Sequence, residues 1–189
     1  YCPTYCSGVP RSWRTIVTKQ LTNREKLAFA VESRKRQDLK RYEDSYQSFA
    51  AEQIRILPKD ASKGFIPLEF NTAQQIVDDA IEKQLKETGK VRAIILKARQ
   101  MGLSTYATGR VYWKSYLTPY NKSVVMAHDS ATSDALFSMS RNIIQNMRPE
   151  FTPILKKSNS KEIGFEHNDS GYRLYTAGSP EAGRGTTPT

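Results

Sequence analysis

Apolar side chains recur along this chain at spacings that predict helices in its first half. From residue 24 to residue 56 no proline or glycine interrupts the helix formers, and apolar positions fall three and four apart, which predicts one or two helices. The positions on this face are Leu39, Tyr42, Tyr46, Phe49 and Ala50. Asn71 or Thr72 is placed to cap a further amphipathic helix that ends before Gly89.

Beyond Gly89 the pattern becomes an alternation of short apolar runs and amphipathic stretches. It predicts, in order, a buried strand at residues 91–96, a helix at 104–117, a strand at 123–127 and a helix from 130 to just before Pro149. A strand, helix, strand order joins parallel strands through crossover connections. The sequence therefore predicts an α/β fold, in which helices pack on a parallel sheet.

Segments rich in turn formers divide the remainder of the chain. The polar segment 58–64 predicts a linker, so we expect a basic, mainly helical segment over residues 1–60 and a second unit over residues 61–189. Residues 162–166 and 172–176 flank the turn-forming sequence Asn-Asp-Ser-Gly, which predicts a β-hairpin. After it the chain loses core-forming periodicity, and we expect a loop.

Lysine and arginine outnumber aspartate and glutamate in this chain, 29 to 19. The chain has 189 residues and a formal net charge of +10. Its densest basic run, Arg34-Lys35-Arg36 followed by Lys40-Arg41, fits either the solvated face of a helix or a contact with nucleic-acid phosphates or another partner. Hydrophobic residues make up 38%, enough for a sizeable core, yet no window approaches the ~20 apolar residues of a membrane span. We therefore expect no membrane association.

The first residues and the cysteines carry little chemistry. The chain begins Tyr-Cys-Pro-Thr-Tyr-Cys, without an initiator Met, a basic start or an apolar stretch, so we expect a trimmed chain without a signal peptide. Cys2 and Cys6 lie four apart and far in sequence from His128 and His167. This pattern supports no disulfide framework and disfavours a zinc site, which takes four ligands in tighter pairs. It favours a reducing, intracellular setting.

The segment most suggestive of chemistry is residues 97–105, Lys-Ala-Arg-Gln-Met-Gly-Leu-Ser-Thr, which joins a predicted strand to a predicted helix. A helix amino end offers unpaired backbone N–H groups and the positive end of the helix dipole. A glycine at that junction lets phosphate oxygens approach the backbone closely. The segment is therefore either a phosphate-binding loop or an ordinary strand-to-helix connection whose charges face water.

The usual P-loop pattern, G-x-x-x-x-G-K-[ST], fits this segment in half of its defined positions. Gly102 and Ser104 fit, whereas Lys97 replaces the first glycine and Leu103 replaces the lysine. A cation at the entrance of the loop could fold back over the same site, which makes Lys97 and Arg99 the candidates. The Ser104 hydroxyl is the candidate Mg²⁺ ligand.

Residues 97–106, KARQMGLSTY, resemble the deviant Walker A motif of the large terminase subunits of tailed bacteriophages and their prophages, in which the phosphate-binding cation moves to the start of the loop. Three further segments are similar to that family in the right order: 70–74, 123–129 with 136–137, and 176–178 with 183–186. The resemblance covers roughly residues 65–189. It implies a P-loop NTPase parallel sheet (RecA/ASCE-like) with flanking helices, incomplete here, preceded by a helical N-terminal segment.

The resemblance also implies roles for individual residues. Lys97 and Arg99 would be catalytic, and the nucleotide-binding residues would be Gln74, Lys97, Arg99, Gln100, Met101, Gly102, Leu103, Ser104 and Thr105. Gln74 matches the position that reads the adenine edge, although with Asn71 as the cap it also completes a capping box. Ser104 would bind Mg²⁺ through its hydroxyl. Arg184, bracketed by two glycines, is either a flexible turn or a residue that couples nucleotide state to DNA or to a neighbouring subunit.

Terminase large subunits are ATP-driven motors that move double-stranded DNA into a procapsid through a portal, and they carry a separate C-terminal nuclease. The resemblance thus implies ATP and Mg²⁺ as cofactors. The implied partners are double-stranded DNA, a terminase small subunit, a portal protein and further copies of the chain in a ring. The implied location is the cytoplasm of an infected or lysogenic bacterial cell.

Hydrolysis by such a motor needs a Walker B aspartate, which we do not find. The acidic pair Asp78-Asp79 follows an apolar run but lies on a predicted helix ahead of the loop, so we reject it. In the family that strand would follow Arg184 shortly; we therefore expect this chain to stop before it, to lack the nuclease and to bind ATP without turning it over. Two other classes stay open: a helicase-type nucleic-acid motor and a non-catalytic basic DNA-binding adaptor.

Overall fold

A computed structural model describes residues 22–58, 60–159 and 161–178. The chain divides into two compact units, Tyr1–Lys40 and Arg41–Thr189. In the first unit the described residues form the larger part of helix α1 (Asn23–Asp44). Thr22 and Glu25 cap its amino end with two reciprocal hydrogen bonds. The Glu25 carboxylate accepts from the Thr22 backbone N–H, and the Thr22 hydroxyl accepts from the Glu25 backbone N–H. The basic run on this helix is largely exposed.

The second unit contains the last turn of α1 and the remaining elements. Its further helices are α2 (Tyr46–Gln53), α3 (Thr72–Thr88), α4 (Leu103–Leu117) and α5 (Ser130–Asn146). Its strands are β1 (Arg55–Ile56), β2 (Ile66–Pro67), β3 (Lys122–Ala127), β4 (Leu155–Ser158), β5 (Glu162–Phe165) and β6 (Gly171–Thr176). Short 3₁₀ turns lie at Ala61–Lys63 and Pro149–Phe151. Within the described ranges, no helix combines the length and the apolar character needed to cross a bilayer.

The larger sheet has four strands in the order β3-β6-β5-β4 and is mixed. β3 pairs parallel to β6, from Lys122 opposite Gly171 to Ala127 opposite Thr176. β6 pairs antiparallel to β5, and β5 antiparallel to β4. The α/β class and the hairpin are confirmed. The expected parallel sheet is correct only for β3 and β6, since the hairpin supplies two of the strands and its pairing is antiparallel.

Residues 91–96 were expected to form a buried strand, and this prediction is wrong. The segment belongs to neither described sheet, and Ile94 and Leu96 are fully exposed. An apolar run becomes a buried strand only where its backbone groups find partners on neighbouring strands. For Arg92 the partner is instead the Gln84 side chain on α3. It donates to the Arg92 carbonyl at 3.2 Å and accepts from the Arg92 N–H at 2.8 Å.

Residues 58–64, predicted as a linker, lie between β1 and β2. These two short strands pair antiparallel, with Ile56 opposite Ile66. In the loop between them the Asp60 carboxylate accepts from the Ser62 N–H. The breaker-rich composition therefore makes a turn within the second unit. The division of the chain at residue 60 stays a prediction.

The core of the second unit is largely aromatic, which explains how short helices pack stably. Phe49 on α2 meets the Tyr42 ring edge-on, with centroids 5.5 Å apart, and Tyr112 on α4 meets Phe165 of β5 in the same way. Aromatic rings bury large apolar areas, but a buried hydroxyl or indole N–H needs a partner. Tyr116 Oη accordingly donates to a backbone carbonyl, and so does Trp113 Nε1. These contacts fix α4, the helix that follows the candidate loop.

Candidate phosphate-binding loop

The candidate loop enters α4 through two residues in the left-handed region. Gln100 has φ 64° and Gly102 has φ 70°. Gly102 is the N-cap residue of α4, and no side chain caps this helix end. Because the first N–H groups of a helix have no acceptor within the helix, they are available here to a ligand. Glycine is favoured at this position, since the residue has a left-handed conformation and a Cβ atom would lie 2.9 Å from Gln74 Nε2.

Side chains at the start of α3 donate hydrogen bonds to backbone carbonyls of this loop. Asn71 Nδ2 donates to the Met101 carbonyl at 3.2 Å, and Gln74 Nε2 donates to the Gly102 carbonyl at 2.9 Å. The same two residues form the predicted capping box, in which the Gln74 backbone N–H donates to Asn71 Oδ1 and the Asn71 backbone N–H donates to Gln74 Oε1, both at 3.0 Å. Gln74 is only 3% exposed. Its amide therefore fixes both a helix end and the loop carbonyl.

The predicted cations lie at the surface of the loop. Lys97 and Arg99 are exposed, and neither has an ion-pair partner in the part of the chain that the structure describes. Ser104 on the first turn of α4 is exposed, and Thr105 beside it is half-buried. These side chains lie within one segment that borders the uncapped helix end.

Leu103 differs from the other predicted contacts. Its side chain is 7% exposed and packs into the core, at the position where the usual pattern has lysine. A buried leucine ties the first turn of α4 to the core and cannot supply a charge. Any cation that reaches phosphate at this helix end must therefore come from elsewhere in the chain.

A cavity lies beside the loop and not on it. It has a volume of about 370 Å³ and is lined by apolar residues of α3, among them Ile76 and Ala80, and by residues 92–96. None of residues 97–105 lines it. The candidate loop is thus an open surface feature. Arg184, the predicted coupling residue, lies outside the described residues.

A buried charged cluster behind the loop was missed by the sequence reasoning. Arg110 on α4 donates from Nη1 to Asp78 Oδ1 and from Nη2 to Glu82 Oε1, both at 2.6 Å. Tyr106 Oη donates to the same Asp78 oxygen at 2.6 Å. The available signal was the four-residue spacing of Asp78 and Glu82 on α3 and of Tyr106 and Arg110 on α4, which puts each pair on one helix face.

Burial and neighbouring charges shift the pKa values of three residues in this cluster. Burial raises the pKa of Asp78, although the Tyr106 hydroxyl and Arg110 act in the opposite direction. It also raises the pKa of Tyr106, with a further contribution from Asp78. Burial alone would lower the pKa of Arg110, but Glu82, Tyr106 and Asp78 outweigh it and the pKa is raised. The arginine thus stays charged and the tyrosine neutral.

Asp78 and Asp79 lie on α3, as the sequence predicted when it rejected them as a Walker B pair. Asp79 accepts from Gln75 Nε2 at 2.9 Å on the exposed side of the helix. Among the described residues, no group of three or more His, Cys, Asp or Glu side chains is arranged to hold a metal ion.

No protein-family model matches this chain. The curated proteins contain no match to it either.

Proposed function

We propose that this chain is the ATP-binding part of a viral DNA-packaging motor, a terminase large subunit that couples ATP hydrolysis to movement of double-stranded DNA into a procapsid. One observation carries the proposal. The segment KARQMGLST leads into a helix amino end that has glycine as its left-handed N-cap and no side-chain cap. Sequence and backbone geometry thus point to the same anion site.

The chemistry of the site follows from these groups. The N–H groups of the first turn of α4 would bind phosphate oxygens, and the helix dipole would favour their negative charge. Lys97 and Arg99 would supply the cation that Leu103 does not. The Ser104 hydroxyl would hold Mg²⁺, which neutralises phosphate charge when it accompanies the nucleotide.

The wider fold is compatible with a P-loop NTPase of the RecA/ASCE-like type. A helix that follows the loop packs on a sheet containing a parallel strand pair, β3 and β6. In such folds a strand of the parallel sheet precedes the phosphate-binding loop. In this chain residues 91–96, which precede the loop, belong to neither described sheet, so the support from the fold is the helix and the parallel pair alone. The proposed adenine contact of Gln74 would use the second N–H of its Nε2 and the second lone pair of its Oε1.

The proposed polymer partner is double-stranded DNA, because the chain carries a net charge of +10. Between Glu87 and Asp129 the sequence contains no acidic residue, while Lys90, Arg92, Lys97 and Arg99 are all exposed. Clustered cations of this kind bind phosphate backbones with a strong dependence on salt. A small subunit, a portal and a ring of copies belong to the same proposal.

Nucleotide addition tests the proposal against a simple basic adaptor. Thermal unfolding is followed with Mg–ATP, with Mg–GTP and without nucleotide, and DNA binding is measured at several salt concentrations. A nucleotide site predicts a rise in the unfolding temperature that saturates with ATP. Salt-dependent DNA binding without any nucleotide-induced rise would reject the motor assignment in favour of the adaptor.

A further inference from the structure

Three polar contacts join α3 to α4 at one constant sequence separation. Gln74 Nε2 donates to the Gly102 carbonyl, Tyr106 Oη donates to Asp78, and Arg110 donates to Glu82. Each pair is 28 residues apart in sequence. On both helices the members are four residues apart, so the contacts form a ladder along two helices that run in the same direction.

This ladder specifies the register of the two helices. Four residues advance a helix by about 6 Å, so a slide of one turn would separate all three pairs at once. Asp78 also accepts from Arg110 Nη1 at 2.6 Å, which ties the last two rungs together. The register is therefore set by side chains with fixed hydrogen-bond geometry in addition to apolar packing.

The charged end of the ladder is removed from water. The side chain of Arg110 is 15% exposed and that of Asp78 is 9% exposed. The guanidinium also lies 5.5 Å from the ring centroids of Tyr46 and Trp113. Loss of one partner would leave the other charge buried and unpaired, which is strongly unfavourable. The arrangement thus favours the observed register.

We propose that Arg110 is a positioning residue for the candidate phosphate-binding loop. By fixing α4 against α3, it keeps the Gly102 carbonyl within reach of Gln74 and holds the first turn of α4 in place. The nucleotide consequence of this inference rests on the function proposed above. The structural consequence does not, because it concerns the loop itself.

Amide hydrogen exchange tests the structural consequence without nucleotide. Arg110→Met is compared with Arg141→Met, in which the exposed arginine over the Phe137 ring of α5 is removed. We expect exchange of the Tyr106 amide, which donates to the Gly102 carbonyl at 3.0 Å, to accelerate at least tenfold in Arg110→Met only. The Leu174 amide in the hairpin, which donates to the Lys161 carbonyl at 2.8 Å, should keep its rate.

A merely structural arginine would give a different result. Equal acceleration at Tyr106 and Leu174 would mean global destabilisation and would overturn the inference, as would an unchanged rate at Tyr106. Arg110→Lys retains the charge and one hydrogen bond, so it should restore part of the protection. If Arg110→Met does not fold, Tyr106→Phe removes a single rung and should accelerate exchange at residue 106 by several-fold, with no change at Leu174.

A double-mutant cycle on Mg–ATP binding tests the nucleotide consequence. Arg110→Met should weaken Mg–ATP binding about tenfold, and its effect should shrink in the Lys97→Ala background, because a loop that has lost its cation gains less from correct placement. Full additivity would overturn the coupling between Arg110 and the loop. Absence of ATP binding by the unmodified chain would reject the proposed function and leave the exchange result to decide the positioning role.

Discussion

The side-chain amide of Gln74 donates from Nε2 to the backbone carbonyl oxygen of Gly102 at 2.9 Å. This bond joins the first turn of α3 to the N-cap residue of α4 across 28 positions of sequence. As a consequence, the conformation of the candidate loop does not depend on the flexible Gly102 alone. The conformation of the helix end is set by a neighbouring helix before any ligand binds.

Replacement of Gln74 should loosen this helix end. Gln74→Ala removes the donor to Gly102 and the acceptor for the Asn71 N–H, so both backbone groups lose a hydrogen-bond partner. We expect a loss of about 1–3 kcal/mol in the free energy of unfolding, measured by urea titration. Gln75→Ala is the matched control, because Gln75 makes exposed contacts only and should cost less than about 0.5 kcal/mol. Equal effects of the two changes would contradict the clamp.

Alanine substitutions at two glycines of the same conformation distinguish the cost of backbone strain from the cost of disturbing the contact with Gln74. Gly102 and Gly89 have φ 70° and 69°, but only Gly102 has Gln74 beside its missing Cβ; at Gly89 nothing lies within 4 Å. Gly89→Ala should cost about 1–2 kcal/mol from the left-handed conformation alone. Gly102→Ala should cost about 1 kcal/mol more, because the Gln74 bond is also displaced. Similar losses at both positions would show that Gln74 adapts freely.

Gly109 tests the packing of α4 against α2. A Cβ at Gly109 would lie 2.5 Å from Tyr46 Oη and 2.8 Å from Ile54 Cδ1, both in fully buried side chains. Gly109→Ala should therefore destabilise the protein by about 1–3 kcal/mol, although alanine is the better helix former by about 1 kcal/mol. Ala107→Gly, at an exposed position of the same helix, should cost about 1 kcal/mol through propensity. Stabilisation by Gly109→Ala would contradict this packing.

Local chemistry made much of the secondary structure predictable. The Asn71 cap and the left-handed Gly89 delimit α3 where the sequence placed them, because capping depends on residues close in sequence. The hairpin around Gly171 was likewise predictable, because its turn-forming residues are close together in sequence. For the candidate loop, the sequence identified the glycine at the helix junction, and the structure gives it the conformation that glycine alone adopts easily.

The remainder depends on partners distant in sequence. The run at 91–96 has the composition of a strand, but its pairing is decided by other segments, so composition could not settle it. The mixed sheet follows from the position of the hairpin beside β3, which local patterns do not encode. Asp78 and Arg110 are 32 residues apart in sequence, and only the packing of α3 on α4 brings them together.

The cap of α5 predicts a specific pH dependence. The backbone N–H of Thr132 and then its hydroxyl hold the pKa of Asp129 below its ordinary value. A lowered pKa adds stability above the unfolded-state value of about 4, and this stability is lost as the pH falls through the lowered pKa. Asp129→Ala should therefore lower the urea midpoint at pH 7 and at pH 5, and this difference should shrink towards pH 3.

Asp134, one turn further along α5, supplies the control for that series. Asp134→Ala should change the midpoint less than Asp129→Ala at pH 7, because its exposed carboxylate is not at the helix end. A difference between Asp129→Ala and the unmodified protein that grows between pH 5 and pH 3 would contradict the assignment of Asp129 as a cap whose charged form is favoured.

The central claim is that a triphosphate binds at the amino end of α4 with Lys97 as its cation. Calorimetric titration of Mg–ATP into the unmodified chain, Lys97→Ala, Arg99→Ala and Lys114→Ala tests it most directly, since Lys114 is an exposed lysine at the other end of the same helix. We expect Lys97→Ala to lose about 1.5–3 kcal/mol of binding free energy, roughly 10- to 150-fold in affinity, and Lys114→Ala to bind within about twofold of the unmodified chain. Unchanged affinity in Lys97→Ala would contradict the claim, and a loss confined to Arg99→Ala would transfer the role to Arg99.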